Sequence, residues 1–323
     1  MKKFFSILCA SLLIASAALS LFGCDKKSDI PVIGISQFAE HGSLDNCRTG
    51  FLEGLKEAGL VEGKDFTVDY QNAGADTNIA SQIGQNFASR NVALMCAIAT
   101  PSATACFAAA EDKDIPVVFT AITDPVMAKL TEGNVTGTSD KLPVTAQLEL
   151  IRAMQPEAKT IGIIYNTSEP NSVSAIKEYE DNAGAYGFTI DAVGITAQAE
   201  VTQAADTLIS RKVDCFSNLT DNMVVDVLPS VLEKTNEAGI PVYGSEVEQV
   251  KLGCVASAGI DYIALGKKTG AMAARILRGE AKASELPYET ISEFGYYVNT
   301  PAAEKLSVTI PTAIAEKAIE SSK

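Results

Sequence analysis

"IGIIYNTSEPNS", Ile161 to Ser172, restates "IGISQFAEHGS", Ile33 to Ser43. Each begins as a short buried strand and ends in polar residues of the kind that start a helix. The recurrence continues in order: "VALMCAIATPSA" from Val92 is answered by "VDCFSNLTDNMV" from Val213, and "IPVVFTAITDPV" from Ile115 by "IPVYGSEVEQV" from Ile240. Buried strands draw on few residue types, so one such pair carries little weight. Three pairs in the same order, at a spacing of about 125 residues, indicate a duplicated unit.

Helical patterns fill the gaps between these strands. Leu44, Cys47, Phe51, Leu55 and Ala58 share one face before Gly59, "DFTVDY" alternates as a strand, and a helix is expected from Asp76 to about Ser89. The βαβα rhythm predicts an α/β fold of two similar doubly wound lobes, each a mostly parallel sheet with helices on both faces. After the second set, "DYIALGKKTGAMAARILRGE" reads as one more helix and "LPYETISEFGYYVN" as two short strands. The chain is therefore expected to return to the first lobe and finish in the second, through a multi-strand hinge. The predicted N-terminal lobe is 30–139 plus 257–286, and the C-terminal lobe 140–256 plus 287–323.

Upstream of the lobes, "MKK" is followed by an uncharged apolar run from Phe4 to Leu21 and then by "FGCDKKSD". This is the layout of a secretory signal. Leu21-Phe22-Gly23-Cys24 resembles the bacterial lipobox, so residues 1–23 are expected to be removed, Cys24 to be lipidated, and 24–29 to form a polar linker. Cys24 is then a tether that holds the protein to the membrane outside the cytoplasm. Cleavage takes away Lys2 and Lys3 and no acid, moving the formal charge from −14 to −16. A chain so acidic repels phosphate backbones, which argues against nucleic-acid binding. The five other mature cysteines, Cys47, Cys96, Cys106, Cys215 and Cys254, are widely spaced and suggest no full disulfide framework.

In open parallel sheets ligands bind beyond the carboxyl ends of the strands. There the first lobe offers Gln37, His41, Thr100, Ser102, Thr123 and Asp124. The second offers Asn166, Ser168, Asn171, Ser172, Asp221, Ser245 and Glu246. Each is also an ordinary helix-capping residue type. Carboxylates and amides gathered at matching ends of two facing lobes, with no Lys or Arg among them, make a polar cleft the stronger reading. For an α-amino acid, Asp221 and Glu246, then Asp124, are the first choices to meet the ammonium. Hydroxyls and free N–H groups near Thr100–Ser102 and Asn171–Ser172 can meet the carboxylate, and Phe38, Tyr165 and Tyr243 can wall an aromatic ring. His41 is the single histidine, which excludes a metal site built on several imidazoles, and no Gly-x-Ser-x-Gly elbow occurs. Neither a catalytic set nor a cofactor is expected.

"QFAEHGSLDNCRTGF", "ATPSA", "PVVFTAITDP", "GTSDKLPV", "IGIIYNTSEPNS", "IPVYGSEVEQV" and "GIDYIALGKKTG" together resemble the solute-binding lipoproteins of ABC importers, of the type I periplasmic-binding-protein fold. Within them, the resemblance is to the group that includes tryptophan- and tyrosine-binding proteins. It implies a monomeric, hinged receptor that closes on a small solute, an aromatic amino acid by preference, and delivers it to a membrane permease with a cytoplasmic ATPase. A lipoprotein that reports ligand occupancy to a signalling partner has the same sequence features, and a tethered enzyme is the third reading.

Overall fold

The computed structural model describes residues 30–291 and 293–322. The expected signal segment, linker and Cys24 lie outside the described residues. Pro31–Lys323 forms one compact unit, within which two sheets define two lobes.

The N-terminal lobe carries a parallel sheet of β1 (Val32–Gln37), β2 (Thr67–Asn72), β3 (Leu94–Ile98), β4 (Val117–Thr120) and β5 (Val135–Ser139), joined at its edge by the late strand β11 (Glu289–Thr290). The order is β11-β5-β4-β3-β1-β2. Every residue of β3, β4 and β5 is buried, as expected of strands covered on both faces. Helices α1 (Gly42–Glu57), α2 (Thr77–Ser89) and α3 (Thr100–Ala110) make the connections.

The C-terminal lobe repeats the plan. Its strands β6 (Thr160–Asn166), β7 (Thr189–Ile195), β8 (Cys215–Ser217) and β9 (Val242–Tyr243) run parallel in the order β7-β6-β8-β9. β10 (Ala256–Gly259) continues the sheet, since Val255 N donates to Val242 O and Gly244 N to Ala256 O. The three recurrent stretches thus supply β1 and β6, β3 and β8, and β4 and β9, at equivalent places in two sheets of one topology. The parallel pattern breaks at β12 (Gly295–Val298), which runs antiparallel to β10 and carries β13 (Ala318–Glu320) beside it. Helices α4 (Val144–Met154), α5 (Pro170–Ala183), α6 (Val201–Ser210), α7 (Asn222–Asp226), α8 (Leu228–Glu237) and α9 (Val247–Leu252) pack in this lobe, and two short helices, Thr300–Lys305 and Thr312–Ala315, join β12 to β13.

The chain crosses between lobes after β5, after β10 and after β11. The last two crossings come later than the expected 257 and 287. Ala256–Gly259 still belongs to the second sheet, filling the place that β5 fills in the first, and Glu289–Thr290 still pairs with β5. After β10, α10 (Tyr262–Leu277) returns to the first lobe and lies against α1 at unusually close range. A Cβ on Gly50 would stand 2.1 Å from Ile263 O, on Gly54 2.2 Å from Lys267 O, on Gly266 2.2 Å from Cys47 O, and on Gly270 2.3 Å from Phe51 O. "GIDYIALGKKTG" is therefore the start of a helix whose glycines serve backbone contact. The five cysteines from Cys47 onward are free and buried.

Candidate functional site

The strand ends of the two lobes face each other and touch. Ser174 Oγ donates to Asp124 Oδ2 at 2.7 Å, the Thr123 and Thr220 hydroxyls lie 3.3 Å apart, and Asn46 Nδ2 donates to Glu248 Oε1 at 2.9 Å. Behind these contacts lies a narrow cavity lined by residues of both lobes.

The N-terminal lobe supplies the floor. β4 lies between β3 and β5, so on the cavity lining Ala121, just after β4, separates Thr100 at the start of α3 from Asp140 at the end of β5. Ala121 is left-handed at φ 58°, and Ala99 takes φ 77° and ψ 153°, a region almost reserved for glycine. Such strain is retained where the surroundings over-determine it, commonly at ligand sites. It turns the chain sharply into α3, whose first-turn N–H groups have no partner within the helix. Thr100 is 2 % exposed, lines the cavity, and its hydroxyl has no hydrogen-bond partner. Both ring nitrogens of half-buried His41, on the same lining, are shielded from solvent and also unpartnered.

Asp140, 1 % exposed, is the one carboxylate on the lining. It follows β5 directly, and Tyr262 Oη donates to its Oδ2 at 2.5 Å and Thr123 Oγ1 to its Oδ1 at 3.2 Å. Burial raises its pKa, while the bonds from Tyr262 and Thr123 pull the other way. Burial likewise lowers the pKa of His41, with Asn222 and the charges of Asp45 and Asp226 opposing. The opposite wall comes from the C-terminal lobe: Asn171, Thr220, Asn222, Val225 and Gln249. Asn171 Oδ1 is buried without a partner.

Of the residues expected from the sequence, His41, Thr100 and Asn171 meet on this cavity. Asn166 and Ser168 line a wider pocket beside it, together with Phe38 and Met223. The others are engaged elsewhere. Gln37 binds Ala39 O, Asp45 and Arg48 within its own lobe, and Ser102 accepts from Ser36. Thr123 and Asp124 join the lobes, as above. Ser245 is held by Gln249.

Asp221 and Glu246, the first choices for an ammonium, are not on the lining of this cavity. Asp221 caps α7 through Met223 N and Val224 N and also accepts from Asn166 N and Ser172 Oγ, which uses its acceptor capacity and engages Ser172 as well. Glu246 caps α9 through Glu248 N and Gln249 N. Tyr243, a proposed wall, is fully buried away from the cavity. Asp140 and Tyr262 were missed, although "GTSDKLPV" places a carboxylate immediately after a strand, the same signal that singled out Asp124.

A family model described as "ABC transporter substrate binding protein" matches residues 32–322. The chain is 37 % identical to a tyrosine-binding protein of Clostridioides difficile (strain R20291), over 95 % of this chain and 93 % of that one. Among solved structures, a Streptococcus domain in complex with L-Trp superposes with a TM-score of 0.86 at 32 % identity, covering 90 % of this chain and 99 % of that one. A ligand-free, open substrate-binding protein with adhesive properties from Clostridium difficile gives 0.67 at 38 % identity, covering 90 % and 100 %.

Proposed function

The chain belongs to the ABC transporter substrate-binding proteins, and we propose that its solute is an aromatic L-amino acid held in the cavity between the lobes. The observation that carries this reading is the pairing, on one floor, of a desolvated carboxylate with an unpartnered hydroxyl at a helix N-terminus. The solute's ammonium meets Asp140, with Asn171 Oδ1 as a further acceptor. Its carboxylate meets Thr100 Oγ1 and the first-turn N–H groups of α3, favoured by the helix dipole and needing no arginine. Ala121 between them leaves room for the solute's Cα, and Leu44, Val225 and the Tyr262 ring offer apolar wall.

The named ligands of two relatives, tyrosine and L-Trp, support the choice of side chain. The higher TM-score to the L-Trp complex than to the open protein, at lower identity, accords with the lobe-to-lobe contacts of a closed receptor. The chain is a binding protein by family. Delivery to a permease, and a lipid on Cys24 as the tether, complete the proposal; among the described residues no helix is long and apolar enough to cross a membrane.

The test is thermal unfolding of ligand-stripped residues 25–323 against amino acids, sugars, nucleosides and polyamines. At a hundred times its Kd a true ligand stabilises by about 2.7 kcal/mol. A selective rise with tyrosine or tryptophan is expected; a rise only with another class refutes the assignment.

A further inference from the structure

Glu169 stands between β6 and α5, 3 % exposed, behind the C-terminal wall of the cavity. Its Oε2 accepts from Asn171 Nδ2 at 3.2 Å and from Asn222 Nδ2 at 2.7 Å, and its Oε1 from Asn166 Nδ2 at 3.2 Å. Asn171 Nδ2 also donates to Thr220 O at 3.2 Å. An ionised carboxylate only accepts, so each amide that touches it must turn its NH₂ inward and its oxygen away. That leaves Asn171 Oδ1 buried and unpartnered on the cavity lining, and Asn222 with His41 as its neighbour on the cavity side.

We infer that Glu169 is a positioning residue that sets the polarity of this wall: it holds the Asn171 and Asn222 amides with their oxygens toward the cavity, so that the C-terminal lobe accepts hydrogen bonds and selects a cationic group on the solute. The inference rests on the amino-acid reading above for the identity of that group, but the orientation of the amides does not. Protonated at Oε2, Glu169 becomes a donor where it now accepts from both amides; protonated at Oε1, it gives up the bond from Asn166 and leaves Oε2 a weaker, uncharged acceptor. Burial and the nearby Asp221 carboxylate push its pKa up to about 7, while bonds from Asn222 and Asn171 oppose. Two other groups titrate against it. Asp221, on the turn before α7, is itself raised by burial, and His41, reached through Asn222, is lowered by burial. Asp140 faces the same cavity from the first lobe. With that pKa the acceptor wall is at its midpoint near pH 7, largely formed by pH 8 and largely weakened by pH 6.

The experiment has two arms. In ligand-free protein, the side-chain amide resonances of Asn171 and Asn222 are followed by NMR from pH 5.5 to 8.5; they are expected to shift together with one midpoint near 7. Amides that do not respond to pH overturn the inference, even if E169Q fails to fold. In the second arm, the affinity of L-tyrosine is expected to fall about tenfold from pH 8 to pH 6 in the wild type, and to be weak and flat with pH in E169Q. E169Q should also lose part of an expected discrimination of about 100-fold against 3-(4-hydroxyphenyl)propionate, which lacks the ammonium, while Asp140 keeps the rest. Unchanged affinity and discrimination in a folded E169Q overturn the inference. If wild type binds neither L-tyrosine nor L-tryptophan, the ligand assignment falls and the amide titration alone decides the role of Glu169.

Discussion

At the scale of single residues, two aspartates with the same sequence signature have opposite roles. Asp140 and Asp221 both follow strands and are both buried, but Asp221 spends its oxygens on four protein donors while Asp140 keeps lone pairs free beside the cavity. Asp140→Asn removes the charge and keeps the shape, so it should weaken an α-amino acid by about 2 to 5 kcal/mol, read by calorimetry, with little loss of thermal stability. Asp221→Asn should show the reverse balance: its Oδ1 can still cap α7, but an NH₂ then faces Asn166 N–H and the Ser172 hydroxyl and loses both bonds, with a stability loss of about 1 to 3 kcal/mol. Equal affinity in wild type and Asp140→Asn would remove Asp140 from the site.

At the scale of elements, strand identity and order follow from local pattern, whereas the way α10 meets α1 follows from four glycines on two facing helices. With no side chain at Gly50, Gly54, Gly266 and Gly270, carbonyl oxygens of each helix approach the other's Cα atoms directly. A methyl group there meets rigid backbone and has no rotamer to escape into. Gly266→Ala should therefore destabilise by about 1 to 3 kcal/mol, despite the better helix propensity of alanine. Gly184→Ala, which meets nothing within 4 Å, is the control, expected to leave the melting temperature nearly unchanged. A Gly266→Ala variant as stable as wild type would mean the helices separate without cost.

At the scale of the whole molecule, three crossings join lobes that otherwise meet through few polar contacts, an arrangement suited to hinge closure. Asp124 and Ser174 form one such contact outside the cavity, so Asp124→Ala should weaken ligand about three- to tenfold without altering which ligand is preferred. Small-angle scattering should show a smaller radius of gyration with bound ligand, and identical curves at saturation would refute closure. The duplication, the lobe plan and the polar character of the cleft were legible in the sequence, because strand periodicity and helix starts are local properties of the chain. Which of the many polar candidates line the cavity was legible only in part: Thr100 and Asn171 were among them and Asp140 was not. Thr100, Asp140 and Asn171 come from three separate segments and two lobes, and whether a polar atom is left unpartnered, as the Thr100 hydroxyl and Asn171 Oδ1 are, is decided by neighbours far away in sequence. The sequence by itself determined two lobes with carboxylates and amides at their strand ends. Only the tertiary structure decided which carboxylate is consumed by backbone N–H groups and which stays free, because desolvation and hydrogen-bond satisfaction depend on what folding brings alongside.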